Sequence, residues 1–262
     1  MSSTTNSTIP RITDYRVSHS NDFVRSRWPW TGSGHGPLPA LLVLLTIVTG
    51  LVDAVSYLTL GHVFVANMTG NVVFLGFAFA GAPGLSAVAS LAALGAFVLG
   101  ALAGGRIAVR FGAHRARHLR AATAISVSLV LLAVVLAAVA GQPVPQGARY
   151  GLSVLLALAM GMQNATARRL AVPDLTTTVL TLTLTGIAAD SRLAGGPGGR
   201  PGRRLIAVLA MLVGALIGAV LVLNVDLVLP LAMAATLMAA TAIVAHRLST
   251  DTSDWTRGPG SG

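Results

Sequence analysis

Asp53 stands inside a long apolar run, 38–60, about two helical turns before Gly61. A carboxylate at the centre of a membrane helix costs about 2.5 to 3.5 kcal/mol on insertion scales. Acids at such depth face a bundle interior and mark ion or proton routes. The structural alternative is that Asp53 is hydrated near the interface or caps the next helix. The following run, 62–81, carries Asn67, Thr69, Gly70 and Asn71 near its middle. These offer donors and acceptors without charge. At a break between half-helices they could bind a solute beside exposed helix ends, where N-termini favour anions and unwound carbonyls favour cations. As plain structure they would be polar glue between helices. A second set lies further on: Gln163 and Asn164 beside Arg168, then Thr177, Thr178 and Thr181 in a threonine-rich run. Those threonines could equally bond back to their own helix.

No other chemistry stands out. Cysteine is absent, which excludes disulfides and thiolate sites. Of six histidines only His114 and His118 stand four apart, and they fall in an Arg-rich run that reads as a solvated loop. No phosphate-binding glycine loop, metal-ligand cluster or nucleophile–base pair is present. The chain is therefore expected to be no enzyme and to carry no metal or cofactor. Asp174, Asp190 and Asp226 read as helix caps or loop charges.

The elements that hold these residues follow from composition. Hydrophobic residues make up 54% of the 262 and charged ones only 10%, and mean hydropathy is +0.76. A soluble domain carries about a quarter charged residues, so the solvent must tolerate apolar surface. The basic residues are all Arg and the acidic ones all Asp, which we read as codon bias. A net charge of +10 suggests nucleic acid at first. The arginines lie in short stretches between apolar runs, however, as in cytoplasmic loops against anionic lipid. No nucleic-acid partner is expected.

Eight apolar runs cover 38–60, 62–81, 85–109, 121–140, 148–167, 172–189, 205–223 and 227–245. If all eight spanned with the N-terminus inside, Arg106, Arg110, Arg115, Arg117, Arg120, Arg168 and Arg169 would lie outside, against the positive-inside rule. Let the second and sixth runs enter and return on one side, and only Arg149 is left outside. The expected fold is thus an all-α polytopic membrane protein with about six transmembrane helices and two re-entrant or broken segments. Seven or eight full spans are the alternative. A break at Thr69-Gly70-Asn71 would sit near the midplane, where non-helical backbone survives only if buried or lining a wet cavity. Both termini would be cytoplasmic, in a bacterial inner membrane. Residues 1–37 and 248–262 read as disordered polar tails around a single membrane domain, 38–247. That domain divides into halves at about 38–140 and 148–247. Gly50-Leu51-Val52-Asp53-Ala54 matches Gly161-Met162-Gln163-Asn164-Ala165, and the six-span topology gives the halves opposite orientation, so an inverted repeat is expected.

Gly50-Leu51-Val52-Asp53-Ala54-Val55-Ser56-Tyr57-Leu58, then Phe64-Val65-Ala66-Asn67-Met68-Thr69-Gly70-Asn71, resembles the signature of the YoaK-like family of small bacterial multi-span membrane proteins. Gly161-Met162-Gln163-Asn164-Ala165 with Thr177-Thr178 resembles its second-half motif. The resemblance covers about 38–247 and implies the multi-span architecture but no substrate, the family's function being uncharacterised. The chain departs from the pattern at Thr181-Leu182, where a Thr-Gly pair is usual. The expected function is a small secondary transporter or channel for a solute or ion, in which Asn67, Thr69, Asn71 and Thr181 would meet near the midplane with Asp53 as a proton- or cation-coupling group. The alternative is a non-transporting module that regulates or assembles with another membrane protein. Small-residue faces, as at Gly214 and Gly218, leave room for a homodimer.

Overall fold

The computed structural model describes residues 37–111, 114–170, 172, 180–195 and 201–248. Apart from residues 37 and 248, the two expected polar tails lie outside them, as do Thr177, Thr178 and Asp174. Among the described residues there are eight α-helices and a 3-10 turn: α1 Leu38–Thr59, α2 Met68–Phe79, α3 Ala87–Phe111, α4 Arg115–Ala140, α5 Gln146–Leu170, α6 Leu180–Ala189, the turn Arg192–Ala194, α7 Pro201–Asn224 and α8 Val228–Leu248. The chain is an all-α polytopic membrane protein.

Six helices run 21 to 26 residues and two, α2 and α6, run 12 and 10. The short ones fall in the runs that charge placement had set apart. Five of the long helices, α1, α3, α4, α7 and α8, are long and apolar enough to cross a membrane. Helix α5 has the same length but carries Gln163 and Asn164. It can afford them because it is enclosed, packing on α3 and α4 and touching α1. The outer helices present rows of exposed apolar side chains, among them Leu99 and Leu102 on α3, Leu132 and Val139 on α4, and Leu212 and Leu216 on α7. So much apolar surface has no place in water and is ordinary against lipid.

Helix pairing follows a simple scheme. The dominant pairs are α1 with α7, α3 with α5, and α4 with α8. Next come α4 with α5 and α1 with α8, while α2 lies on α3 and α6 on α7. Exchanging α1 for α5, α2 for α6, α3 for α7 and α4 for α8 returns the same pairs.

Two crossings are closed by glycine. A Cβ on Gly50 would overlap the carbonyl oxygen of Met211, and one on Gly214 that of Ile47. At the other crossing, Gly161 meets the carbonyl of Phe97, and Gly100 that of Leu158. One turn on, Gly218 meets Ala54 as Gly104 meets Ala165. Positions advance in the same order on both partners, so α1 runs parallel to α7 and α3 parallel to α5.

The helix directions gather charge at one end of the bundle. Arg106 and Arg110 end α3, Arg115, Arg117 and Arg120 begin α4, Arg168 and Arg169 end α5, Arg203 and Arg204 begin α7, and Arg247 ends α8. Arg120 lies 3.1 Å from the His246 ring nitrogen Nδ1 of α8, and Arg115 reaches the carbonyl of Leu170 at the end of α5. Arg204 pairs with Asp190 at 2.6 Å, tying the end of α6 to α7.

Two expectations need correction. The turn in the first short segment is not at Thr69-Gly70-Asn71. The chain turns at Gly61 and His62, both at positive φ, and runs non-helically to Asn67. Thr69, Gly70 and Asn71 form the first turn of α2. The break moved because side chains satisfy the backbone before α2. His118 is likewise not in a solvated loop. Helix α4 starts earlier than its apolar run, with Nδ1 of His114 accepting from the Arg117 amide at its N-cap, and this turns His118 and Arg115 inward.

Candidate functional site

Helix α1 carries a polar stripe, Thr46, Thr49, Asp53 and Ser56, every member buried. Spacings of three and four residues put these on one helical face. The hydroxyls of Thr46 and Thr49 donate to the carbonyls of Leu42 and Leu45, and that of Ser56 to the carbonyl of Asp53. Their polarity is thereby met within α1.

Asp53 serves the segment that follows. Its Oδ1 accepts from the backbone N–H groups of Val65 at 3.0 Å and Ala66 at 2.9 Å. Its Oδ2 accepts from Asn67 Nδ2 at 2.5 Å. Asn71, with no exposed surface, clamps Phe64 from the other side. Its Oδ1 accepts from the Phe64 amide at 2.8 Å and its Nδ2 donates to the Phe64 carbonyl at 2.5 Å. Non-helical backbone inside apolar surroundings must find partners or lose several kcal/mol per group. Asp53 and Asn71 supply them for residues 64–66.

Rings cover the break. Phe64 stacks between Tyr57 and Phe74 with centroids 5.1 and 5.8 Å away. A Cβ on Gly70 would overlap the Phe64 ring, so the glycine admits that ring. The N-terminus of α2 thus lies level with Asp53, well below the end of α1. Twelve residues of α2 rise about 18 Å, a little over half of a roughly 30 Å hydrocarbon core. The first turn of α2 lies at that depth, with Thr69 exposed on it.

Gln163 works at the other end of the stripe. Its Nε2 donates to the Leu45 carbonyl at 3.1 Å and to Thr49 Oγ1 at 3.0 Å, joining α5 to α1. Its Oε1 is buried and has no partner among the described residues. Asn164 donates from Nδ2 to the Met160 carbonyl at 2.9 Å. Thr181 is exposed on α6.

The predicted residues therefore divide. Asp53, Asn67, Gly70 and Asn71 form a single unit with Thr69 at its edge, and Gln163 joins the same stripe through Thr49. Helices α2 and α6 share no contact, so Thr181 is not brought to Asn71. The expected meeting of Asn67, Thr69, Asn71 and Thr181 is not what the described residues show. Each short helix docks on its own partner, α3 or α7, and these lie on different sides of α1 and α5. Thr49 was missed, although the stripe at 46, 49, 53 and 56 is visible as a spacing within the apolar run. The described residues contain no group of three His, Cys, Asp or Glu placed to hold a metal.

Residues 41–244 match a family described as "Protein of unknown function (DUF1275)". The chain is 35% identical over 155 residues to the "UPF0700 transmembrane protein YoaK" of Bacillus subtilis (strain 168). That alignment covers 57% of this chain and 65% of the relative, so the chain spans a little under two thirds of the relative's length. No solved structure matches.

Proposed function

The chain belongs to the DUF1275 family, and we propose that within it this protein is a small secondary transporter or channel for a small solute or ion. One observation carries the reading. A half-length helix begins at depth, beside a buried polar stripe, with Thr69 exposed on its first turn. Broken helices of this kind supply coordinating groups without paying for a full charge in lipid. The exchangeable helix pairing and matched glycine crossings support an inverted repeat. The concentration of arginines at one end supports a cytoplasmic placement of that end and of both termini, in a bacterial inner membrane.

Cysteine scanning tests the orientation, since the chain has no cysteine of its own. Ala82→Cys and Gln146→Cys are expected to react with a membrane-impermeant maleimide in intact cells. Arg117→Cys and Ala194→Cys are expected to react only after permeabilisation. The reverse pattern would place the arginine-rich end outside.

Flux tests the function. Asp53 and Asn71 are poor choices because both hold the backbone. Thr69→Val removes an exposed hydroxyl and keeps the shape. Proteoliposomes screened with a panel of ions and small polar solutes should show a protein-dependent flux that Thr69→Val lowers several-fold with thermal stability unchanged. A panel with no protein-dependent flux, or a flux indifferent to Thr69, sinks the proposal. The second reading, a non-transporting partner of another membrane protein, draws on the fact that Asp53, Asn67 and Asn71 already spend their hydrogen bonds within the chain. Co-purification of a fixed partner without flux would favour it.

A further inference from the structure

The first turns of α4 hold two buried polar groups that nothing in the described structure completes. Arg115 is 7% exposed and His118 2%. Three residues apart on a helix, they share a face. One guanidinium nitrogen of Arg115, Nη2, donates to the Leu170 carbonyl, but Nε has no hydrogen-bond partner. His118 Nε2 has none either. Arg169, exposed at the end of α5, lies near enough for its charge to act on the His118 ring, which also faces the backbone carbonyl of Gly104. Among the described residues no carboxylate pairs with Arg115.

A guanidinium stays charged at any accessible pH. Left buried without a counter-charge it costs several kcal/mol. The Leu170 carbonyl answers only part of that demand. The surroundings add to it: the N-terminus of α4 carries positive dipole charge, and Arg117, Arg120, Arg168 and Arg169 belong to the same two helix ends. What the Arg115 guanidinium lacks is an acceptor or a negative charge.

We infer that Arg115, His118 and Arg169 form an anion site at the arginine-rich end of the bundle, and that its ligand is a compact phosphate group. Arg115 supplies Nε–H and fixed charge, the start of α4 supplies dipole, and Arg169 supplies an exposed cation at the entrance. A planar guanidinium is suited to phosphate oxygens. His118 joins as a second donor when its Nε2 is protonated. The burial of both side chains favours a small group over a bulky anion. Depth agrees with a phosphate at the bilayer surface. The 26 residues of α4 rise about 39 Å, longer than a roughly 30 Å hydrocarbon core, which leaves the turn at Arg115 in the headgroup region. The phosphate could thus be that of an anionic lipid or a free one. This inference does not depend on the transport reading.

The test uses the purified full chain in neutral detergent and follows thermal unfolding. One arm titrates inorganic phosphate against chloride at matched ionic strength. The other titrates phosphatidylglycerol against phosphatidylcholine. A saturable stabilisation is expected in at least one arm. The phosphate arm identifies a free-phosphate site, and stabilisation by phosphatidylglycerol alone identifies a headgroup. Arg115→Gln should weaken the effect about tenfold, as loss of a charge-assisted hydrogen bond predicts. Arg149→Gln, at the opposite end, should leave it unchanged. If Arg115→Gln does not fold, Arg169→Gln decides, because Arg169 is exposed and its loss should still weaken binding about threefold by removing one nearby charge. No saturable effect in either arm overturns the site. So does one that survives both Arg115→Gln and Arg169→Gln, or survives Arg169→Gln where Arg115→Gln cannot be made.

Discussion

Asp53→Ala is expected to destabilise the protein by at least about 3 kcal/mol, because three donors lose their acceptor and each unmet donor costs about 1 to 3 kcal/mol. The donors are the amides of Val65 and Ala66 and the side chain of Asn67. Val65 and Ala66 are buried, so their amides do not face solvent when the carboxylate is removed. Asp53→Asn should behave differently. Its carbonyl oxygen can still accept from Val65 and Ala66, and the amide of Asn67 can turn so that its oxygen meets the new NH2. A cost of about 1 kcal/mol is the expected order for that exchange. Unfolding by heat or SDS titration separates the variants. If Asp53→Ala unfolds like the parent, the carboxylate is not what holds the segment before α2. If Asp53→Asn keeps its stability but loses flux, the charge has a further role beyond this hydrogen bonding.

The same residues show how far the sequence could be read. Apolar runs and arginine placement were enough to separate six long helices from two short ones, because span length and charge are local properties. Asp53, Asn67 and Asn71 were legible as a group, since polar atoms in an apolar run must be met by something. Which atom meets which was not legible. That Asn71 clamps Phe64 depends on a turn at Gly61 and His62 whose two positive φ values can be read from the glycine but not from the histidine. Arg115 and His118 were hidden for another reason. A cluster of arginines reads as solvated loop until a neighbouring helix end, here Leu170, is known to cover it. Thr181 was assigned to the wrong neighbourhood because proximity between the halves is set by helix pairing, and small residues announce that helices approach without naming the partner.

Glycine at the two helix crossings carries the other large expected effect. Gly161→Ala is expected to cost about 3 kcal/mol, the upper range for overpacking. The new methyl would meet the backbone carbonyl of Phe97, which cannot swing aside as a side chain can. Gly50→Ala should cost a similar amount against the carbonyl of Met211. Gly95→Ala and Gly105→Ala are the controls. Both lie on α3 near Gly100, neither new Cβ would meet anything within 4 Å, and alanine is the better helix former. They should be neutral or slightly stabilising, so a general intolerance of α3 to substitution is excluded by the same experiment. Coupling adds a sharper demand. Gly50 and Gly161 belong to separate crossings and their costs should add. Gly100 and Gly161 share one crossing, so the second alanine there should cost less than the first, once the helices have already been pushed apart. Matched costs at Gly50 and Gly161 are what an inverted repeat requires, since each residue opens the same five-residue motif and meets the equivalent carbonyl on its parallel partner. If one alanine were tolerated and the other not, the two halves would differ in the contact that defines them, and the exchangeable helix pairing would reflect general bundle packing instead of a repeated unit.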